Sequence, residues 1–311
     1  MSEIILHNYP QSPVAEKVRK GLGLKGLAWR DVEIPRLPPK PDLTVLTGGY
    51  RRTPVMQIGA DIYCDSQCIL RELDRRHPEP TFFPGGAQGM AVAVSRWTDG
   101  ELFDLAVKII LGAAGDALDP DFAADRGRLY LGPDWADRLK AANADLPHLA
   151  AQMRAALGWV DQRLSKGRDF MLGTAPGLPD VLNWHVVWFL RGRWADGPAF
   201  LEQFTHLTAW EARMEALGQG NPTAMTAAEA HDAARSAQIA TPETTDPGDP
   251  QGLTPGQQIA VAPDLDGGEQ AVEGVCRLVG PDQVALVREA PGIGPVCVHF
   301  PRAGYRVEIK G

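Results

Sequence analysis

Hydrophobic positions change their spacing three times along the chain. In the first 83 residues short apolar runs alternate with helical spacing. Ile4-Ile5-Leu6, closed by Asn8-Tyr9-Pro10, predicts a buried strand ending in a loop. Val14, Val18 and Leu22 then fall on one helical face, and the glycine-rich stretch from Gly21 to Gly26 predicts the end of that helix. Trp29, Val32 and Ile34 alternate as a second strand, followed by a proline-rich loop over 35–50. Residues 54–58 and 61–64 predict a hairpin turning at Gly59-Ala60, and Ile69, Leu70 and Leu73 a helix running to His77-Pro78. The order βαβ…ββα is an α/β unit with one parallel crossover.

From about 87 to 235 the spacing is helical throughout. Apolar positions recur over 90–114, 135–164, 181–190, 200–217 and 224–237, with Gly and Pro at the breaks. An all-α domain of five or more helices is the expectation. Residues 241–256, with Pro242, Pro247, Pro250 and Pro255, read as a linker. Five short strands follow, at 259–262, 271–278, 283–288, 295–300 and 305–309, which suggests a small barrel-like or sandwich module. About 55 residues make a marginal core, so this module is expected to lean on the rest of the protein.

Composition narrows the class. With 311 residues, 44% hydrophobic and 23% charged, the chain has room for more than one ordinary domain and is not disordered. Its net charge of −8 argues against nucleic acid or an anionic membrane as the main partner. Residues 1–83 carry 12 Lys and Arg against 10 Asp and Glu, while the remainder is acidic, so a small anion is drawn more to the first third. No apolar run approaches the roughly 18 residues a bilayer demands. The start carries Glu3 and no basic segment, so no signal peptide is read there. Four cysteines are too few for a disulfide scaffold, and a cytoplasmic, thiol-reduced protein is expected.

Three short segments carry candidate chemistry. Ser12 precedes Pro13 at a helix start, where a serine caps well and a proline loses nothing. The same hydroxyl, at the positive end of a helix, could donate to a bound thiolate. Position 15 is Ala, so no capping box supports the purely structural role. Thr53-Pro54-Val55 opens a strand; its spacing fits an ordinary trans proline, and a cis bond would turn the Val55 backbone toward a peptide-like ligand. Asp65-Ser66 opens a helix. The pair can cap it, or can hold the ammonium and carboxylate of an amino-acid head group.

In order and spacing these segments resemble the thioredoxin-like N-terminal domain of the cytosolic glutathione transferases. Ser12-Pro13-Val14-Ala15-Glu16-Lys17-Val18-Arg19 looks like that family's catalytic start of the first helix. Arg52-Thr53-Pro54-Val55 resembles its cis-proline motif, and Asp65-Ser66 its γ-glutamyl motif. Gly177-Leu178-Pro179-Asp180-Val181 is similar to its capping box in the helical domain, with Gly177 in place of serine. The resemblance spans about residues 3–235. It implies a thioredoxin-like glutathione-binding domain over 1–83 and an all-α domain over 84–240, leaving 241–311 as linker and β module.

The resemblance also implies roles. Ser12 would stabilise the glutathione thiolate, Val55 would pair with the cysteinyl backbone, and Asp65 and Ser66 would hold the γ-glutamyl group. Arg52 would meet the glycyl carboxylate, with Thr53 and Pro54 shaping that stretch. Tyr9 is the rival of Ser12, since a phenol can also donate to a thiolate. Trp97, Phe103, Trp184, Trp188 and Phe189 are candidates for a pocket taking a small hydrophobic electrophile, although aromatics at helical spacing more often form core. A homodimer is implied as well. Serine at position 12 disfavours disulfide exchange, because a hydroxyl is no useful attacker of a disulfide. Isomerase or dehalogenase chemistry would share the same binding groups. A scaffold that keeps the fold without the chemistry is the alternative, favoured by the appended β module and by Thr47-Gly48-Gly49-Tyr50-Arg51 in place of the familiar Asn-Pro.

No metal is expected: Cys64 and Cys68 have no partners in a zinc pattern, and Cys276 and Cys297 are expected as free thiols. A hairpin turn at Arg302–Gly304 explains the run from His299 to Tyr305, with His299 or Arg302 reaching the cleft as the alternative.

Overall fold

The computed structural model describes residues 3–265 and 267–310. Its strands are β1 (Ile5–Asn8), β2 (Ala28–Glu33), β3 (Val55–Ile58), β4 (Asp61–Cys64), β5 (Asn221–Ala224), β6 (Gln258–Pro263), β7 (Val272–Val279), β8 (Gln283–Ala290), β9 (Gly294–Pro301) and β10 (Tyr305–Ile309). The first helices are α1 (Pro13–Leu24), α2 (Pro41–Thr47) and α3 (Ser66–Arg76). Next come α4 (Gln88–Arg96), α5 (Phe103–Ala114), α6 (Pro120–Leu131), α7 (Trp135–Ala144), α8 (Leu146–Leu164) and α9 (Leu178–Arg193). Short α10 (Gly197–Leu201), α11 (Thr205–Ala216) and α12 (Ala227–Arg235) complete the set. The chain forms two compact units, one holding Met1–Ala15, Ala28–Leu73 and Asn221–Gly311, the other Glu16–Leu27 and Asp74–Gly220.

The first unit is built on one ten-stranded sheet in the order β10-β6-β7-β8-β9-β4-β3-β1-β2-β5. β1 and β2 are parallel across α1, and β3 and β4 join them antiparallel, giving the thioredoxin-like half. Both edges of that half are extended by chain that arrives much later. β5 pairs with β2, and β9 runs parallel to β4 with Asp61 opposite Cys297 and Tyr63 opposite His299. An open strand edge is a row of unpaired N–H and C=O groups, and these additions cover it. The five C-terminal strands form an extra sheet region that continues the thioredoxin-like sheet, as their marginal length required. Arg302 and Tyr305 bracket a turn, but β10 then leaves β9 and pairs with β6.

Two elements escaped the hydrophobic pattern. Within 35–50 the chain forms α2, with Pro41 in its first turn and Gly48 at φ 77 closing it. The residues facing inward are Leu43, Leu46 and Thr47. β5 has four exposed residues, one of them Pro222, as suits an edge strand. α1 ends inside the glycine-rich stretch, as the spacing suggested. Gly23 lies inside the helix because a Cβ there would fall 2.3 Å from the Gly218 carbonyl oxygen, and α1 ends at Leu24 before Gly26 at φ 62.

His7 is buried on β1, with its Nε2 donating to Gln57 Oε1 at 2.9 Å. Burial lowers its pKa from 6.5 to about 4, against the Gln57 bond. A depressed histidine contributes stability that is present above 6.5 and lost as pH falls through 4. We expect chemical denaturation to show about 3 kcal/mol lost over that window, and a His7→Asn variant to lack this component.

The second unit is helical. α5 is central to it, packing against α7, α8 and α9. Between α4 and α5 the residues Trp97–Leu102 form a π-helical turn. Fully buried Trp210 donates from Nε1 to Asp180 Oδ1 at 2.8 Å. The other Asp180 oxygen accepts from Gly177 N at 2.9 Å, and Met171 N donates to Oδ1 at 2.8 Å. One half of the expected capping box is therefore in place without a serine. Among the described residues no helix is long and apolar enough to cross a membrane.

Candidate functional site

Strand direction gathers the three sequence motifs of the first unit. β1 ends at Asn8, its antiparallel neighbour β3 begins at Val55, and β4, antiparallel to β3, ends at Cys64. Val55 lies opposite His7 on one side and Cys64 on the other. The segments leading to Ser12, through Pro54 and into Asp65-Ser66 thus leave the sheet at one end. Ligands of open α/β sheets bind outside strand ends of this kind.

Ser12 is buried, and its Oγ accepts from Ala15 N at 3.1 Å, so it caps α1. That bond uses a lone pair of the hydroxyl and not its proton. Tyr9 is buried in the core of the same unit with the Lys40 ammonium 5.5 Å from its ring centre, and its carbonyl accepts from Ser12 N. The Thr53-Pro54 peptide is cis, as the resemblance implied and the local spacing did not. Asp65 has φ 72, the one non-glycine residue with a positive φ among those described. A side chain in that region is strained and such strain collects at functional sites. Its Oδ1 accepts from Gln67 N at 2.8 Å, and Ser66 is buried at the first turn of α3.

The C-terminal strands reach the same groups. Tyr305 on β10 donates to Asp65 Oδ2 at 3.0 Å and lies 3.2 Å from the Tyr50 hydroxyl. Burial, first, and nearby Asp65 push both phenols well above their ordinary pKa, so both stay protonated. Glu269 clasps Arg52: Nε donates to both carboxylate oxygens at 2.9 Å and Nη2 to Oε2 at 2.6 Å. Arg52 also donates to Leu265 O, and Arg51 to Gly267 O. Lys40 donates to Arg51 O and Thr53 Oγ1. Nothing in the local spacing of the N-terminal motifs signalled Glu269, Tyr305 or Lys40.

A second polar cluster joins β4 to β9. Donor atoms of Asp61, Cys297 and His299 lie within 4.8 Å of one another, all buried. The carboxylate and imidazole are already partnered. Thr241 Oγ1 donates to Asp61 Oδ1 at 2.5 Å, Ala240 N to Oδ2 at 2.8 Å, and His299 Nε2 to Oδ1 at 3.2 Å. Gln283 Nε2 donates to His299 Nδ1 at 2.6 Å, and the imidazole stacks on Tyr63 at 4.3 Å. Burial alone would raise Asp61, but the bonds from His299, Thr241 and Ala240 hold it below the usual carboxylate value. Burial, then Asp61, pushes the Cys297 thiol up. The donor set is a hydrogen-bonded joint between two halves of the sheet. His299 is therefore occupied here, and Arg302 pairs with Asp249 at 2.8 Å, so neither plays the alternative role considered from sequence.

The aromatic candidates belong to the helical unit. Phe103 is buried against the rings of Tyr130, His185 and Phe189. Trp184 donates from Nε1 to Glu16 Oε1 at 2.8 Å, and Lys20 Nζ lies 4.4 Å from its ring centre. Trp97 is half-buried beside exposed Trp159, and half-buried Trp188 lies under the Arg193 guanidinium. Cys64, Cys68, Cys276 and Cys297 are buried free thiols.

The family model described as glutathione S-transferase, N-terminal domain, matches residues 6–81. A GST-like protein from Pseudomonas syringae is 35% identical over the whole of both chains, with a TM-score of 0.82, so the C-terminal strands are included. A glutathione S-transferase of Ceriporiopsis subvermispora, solved in complex with glutathione, is 18% identical. It covers 69% of this chain and 97% of its own, with a TM-score of 0.54. The beta-etherase LigF of Sphingobium sp. strain SYK-6 is 16% identical over 70% of this chain and 96% of its own, with a TM-score of 0.53. These last two share the fold. A search of curated proteins found no match.

Proposed function

The chain belongs to the family of glutathione S-transferase-like proteins, and on that footing we propose that it binds glutathione and activates its thiol. The observation carrying this reading is Ser12 at the start of α1, its oxygen occupied by Ala15 N and its proton left to donate. A thiolate beside it gains from that hydrogen bond and from the positive end of the helix. Asp65 takes the γ-glutamyl ammonium, and Ser66 with the α3 N-terminus takes its carboxylate, while Val55, the residue first considered for the cysteinyl backbone, is already paired with His7 and Cys64 in the sheet. The thiolate sulfur then forms a C–S bond to an electrophilic carbon of a small apolar substrate, as the carbon–leaving-group bond breaks and its electron pair departs with the leaving group, chloride in the case of a nitroaryl chloride. Catalysis rests on the lowered thiol pKa and on holding both reactants in attack geometry. Isomerase or dehalogenase turnover would start from the same thiolate, and the working form in this reading is a cytoplasmic homodimer.

A glutathione titration followed by calorimetry and by thiolate absorbance in the ultraviolet tests it. We expect binding together with a thiolate signal near neutral pH. In Ser12→Ala, turnover of a nitroaryl chloride is expected to fall about 100-fold while glutathione affinity stays within about tenfold. Unchanged turnover would pass the role to Tyr9 or to backbone N–H groups. The contacts of Glu269 and Tyr305 favour a second reading, a scaffold without chemistry. That reading expects binding without thiolate, or no binding at millimolar glutathione.

A further inference from the structure

We propose that Tyr305, carried by β10, is a positioning residue for Asp65. Its hydroxyl fixes the carboxylate that receives the α-ammonium of a γ-glutamyl ligand. The inference rests on the glutathione reading above and deepens it, because it makes recognition of the head group depend on the C-terminal strands. Asp65 sits at φ 72 between the end of β4 and the start of α3. A non-glycine residue persists there only where its surroundings over-determine it. Two of the bonds that do so are local: Oδ1 accepts from Gln67 N at 2.8 Å, and the Asp65 carbonyl accepts from Ile69 N at 3.1 Å. Neither involves the second carboxylate oxygen. The Cβ–Cγ torsion of an aspartate has a broad minimum, so one bonded oxygen leaves the carboxylate plane room to turn. Tyr305 supplies the second bond, donating to Oδ2 at 3.0 Å across 240 positions of chain.

The donor is itself held. Tyr305 is buried in the core of the same unit, with the rings of Phe300 and Tyr50 at 5.8 and 6.5 Å. The Tyr50 hydroxyl lies 3.2 Å from that of Tyr305. Burial keeps both phenols protonated, and each has a single proton to give. Tyr305 gives its own to a carboxylate, so Tyr50 is the donor in the second bond and the order Tyr50 to Tyr305 to Asp65 runs one way. The Tyr50 carbonyl accepts from Thr47 Oγ1 at 2.8 Å, which ties it to the last residue of α2. Had the Tyr305 hydroxyl needed only a buried partner, the Tyr50 oxygen would have served. Both donors to the Asp65 side chain, Gln67 N and the Tyr305 hydroxyl, are neutral. They orient the carboxylate and leave its negative charge for an ammonium. Each oxygen accepts one of these bonds, and a carboxylate has about four acceptor sites, so capacity remains on both. Asp65 is only half-buried, so a ligand can reach it.

Calorimetric titration of the whole protein with reduced glutathione and with N-glutaryl-cysteinylglycine, the same tripeptide without its α-amino group, reads the share of the ammonium. In the wild type glutathione is expected to bind at least about tenfold tighter than the analogue. Tyr305→Phe keeps the ring against Tyr50 and Phe300 and removes the hydroxyl. In that variant the ratio is expected to fall about fivefold or more, with the analogue within about twofold of its wild-type affinity. A merely structural role would weaken both ligands alike, and a ratio unchanged or raised would mean that the hydroxyl only competes for the carboxylate. Either result overturns the inference. Equal binding of the two ligands by the wild type overturns it too and leaves the glutathione reading standing. Neither ligand binding at millimolar concentration overturns both. The wild type also decides if Tyr305→Phe fails to fold, because coupling between the ligand and the Tyr305 contact is reciprocal. Saturating glutathione is expected to slow amide hydrogen exchange over 305–309 at least about threefold more than the saturating analogue does. Equal protection by the two ligands would sink the proposal.

Discussion

An Asp180→Ala variant is expected to lose about 3–5 kcal/mol of stability, read by urea denaturation of the whole protein. The carboxylate holds three donors that would otherwise be orphaned: Met171 N, Gly177 N and Trp210 Nε1, each within 2.9 Å. Two of these belong to the backbone that leads into α9, and the third is a fully buried indole. Each buried donor left without a partner costs about 1–3 kcal/mol, with some recovered if water enters. Asn at this position keeps the shape but turns an NH2 toward donors, so Asp180→Asn is expected to recover less than half of the loss. A Trp210→Phe variant removes one donor along with its indole N–H and tests the share of that bond. A loss below about 1 kcal/mol for Asp180→Ala would show that the buried carboxylate is dispensable.

The second large effect is expected at the joint between β4 and β9. Asp61→Ala strands the donors of Thr241, Ala240 and His299 in a buried site, an expected cost of about 3–5 kcal/mol. The loss should also be local in its readout: residues 241–311 become open to limited proteolysis before the remainder of the first unit does. Replacing both partners with apolar residues, Asp61→Val with His299→Phe, is expected to be milder than the sum of the single changes. The orphaned groups then disappear together, and a ring on Tyr63 is retained. Additive losses would mean the two side chains contribute independently.

How much of this was legible depends on separation along the chain. Ser12 before Pro13, and Asp65 before Ser66, act on helix starts a few residues away, so their local patterns carry them. The cis Thr53-Pro54 bond was not visible in spacing, because a proline opening a strand looks the same in both isomers. α2 lay behind four prolines, one of which is the helix-opening Pro41. β5 has no apolar alternation to detect, since all four of its residues face outward and its pairing with β2 is made by the backbone. The contacts that reshape the candidate site join residues 217 and 240 positions apart, Arg52 to Glu269 and Asp65 to Tyr305. Nothing in a local window reports those pairings. His299 shows the same limit: beside Arg302 and Tyr305 it suggested a reach toward a cleft, whereas its partner is Asp61 at the start of β4.

The parallel pairing of β4 with β9 puts a timing problem into the life of the protein. Asp61 meets Cys297 across 236 intervening steps of chain. At roughly 5–20 residues per second of synthesis, the edge of β4 stays open for about 10–50 s while the helical unit and the C-terminal strands are being made. Ribosome-bound chains that have passed residue 64 but not reached 301 therefore expose the unpaired edge of β4, the kind that pairs with a neighbour on the same polysome. A chaperone that shields nascent strands has more to do for this chain than for a two-domain chain ending near 240. Late nonsense mutations are correspondingly expected to yield aggregates rather than a shortened folded protein.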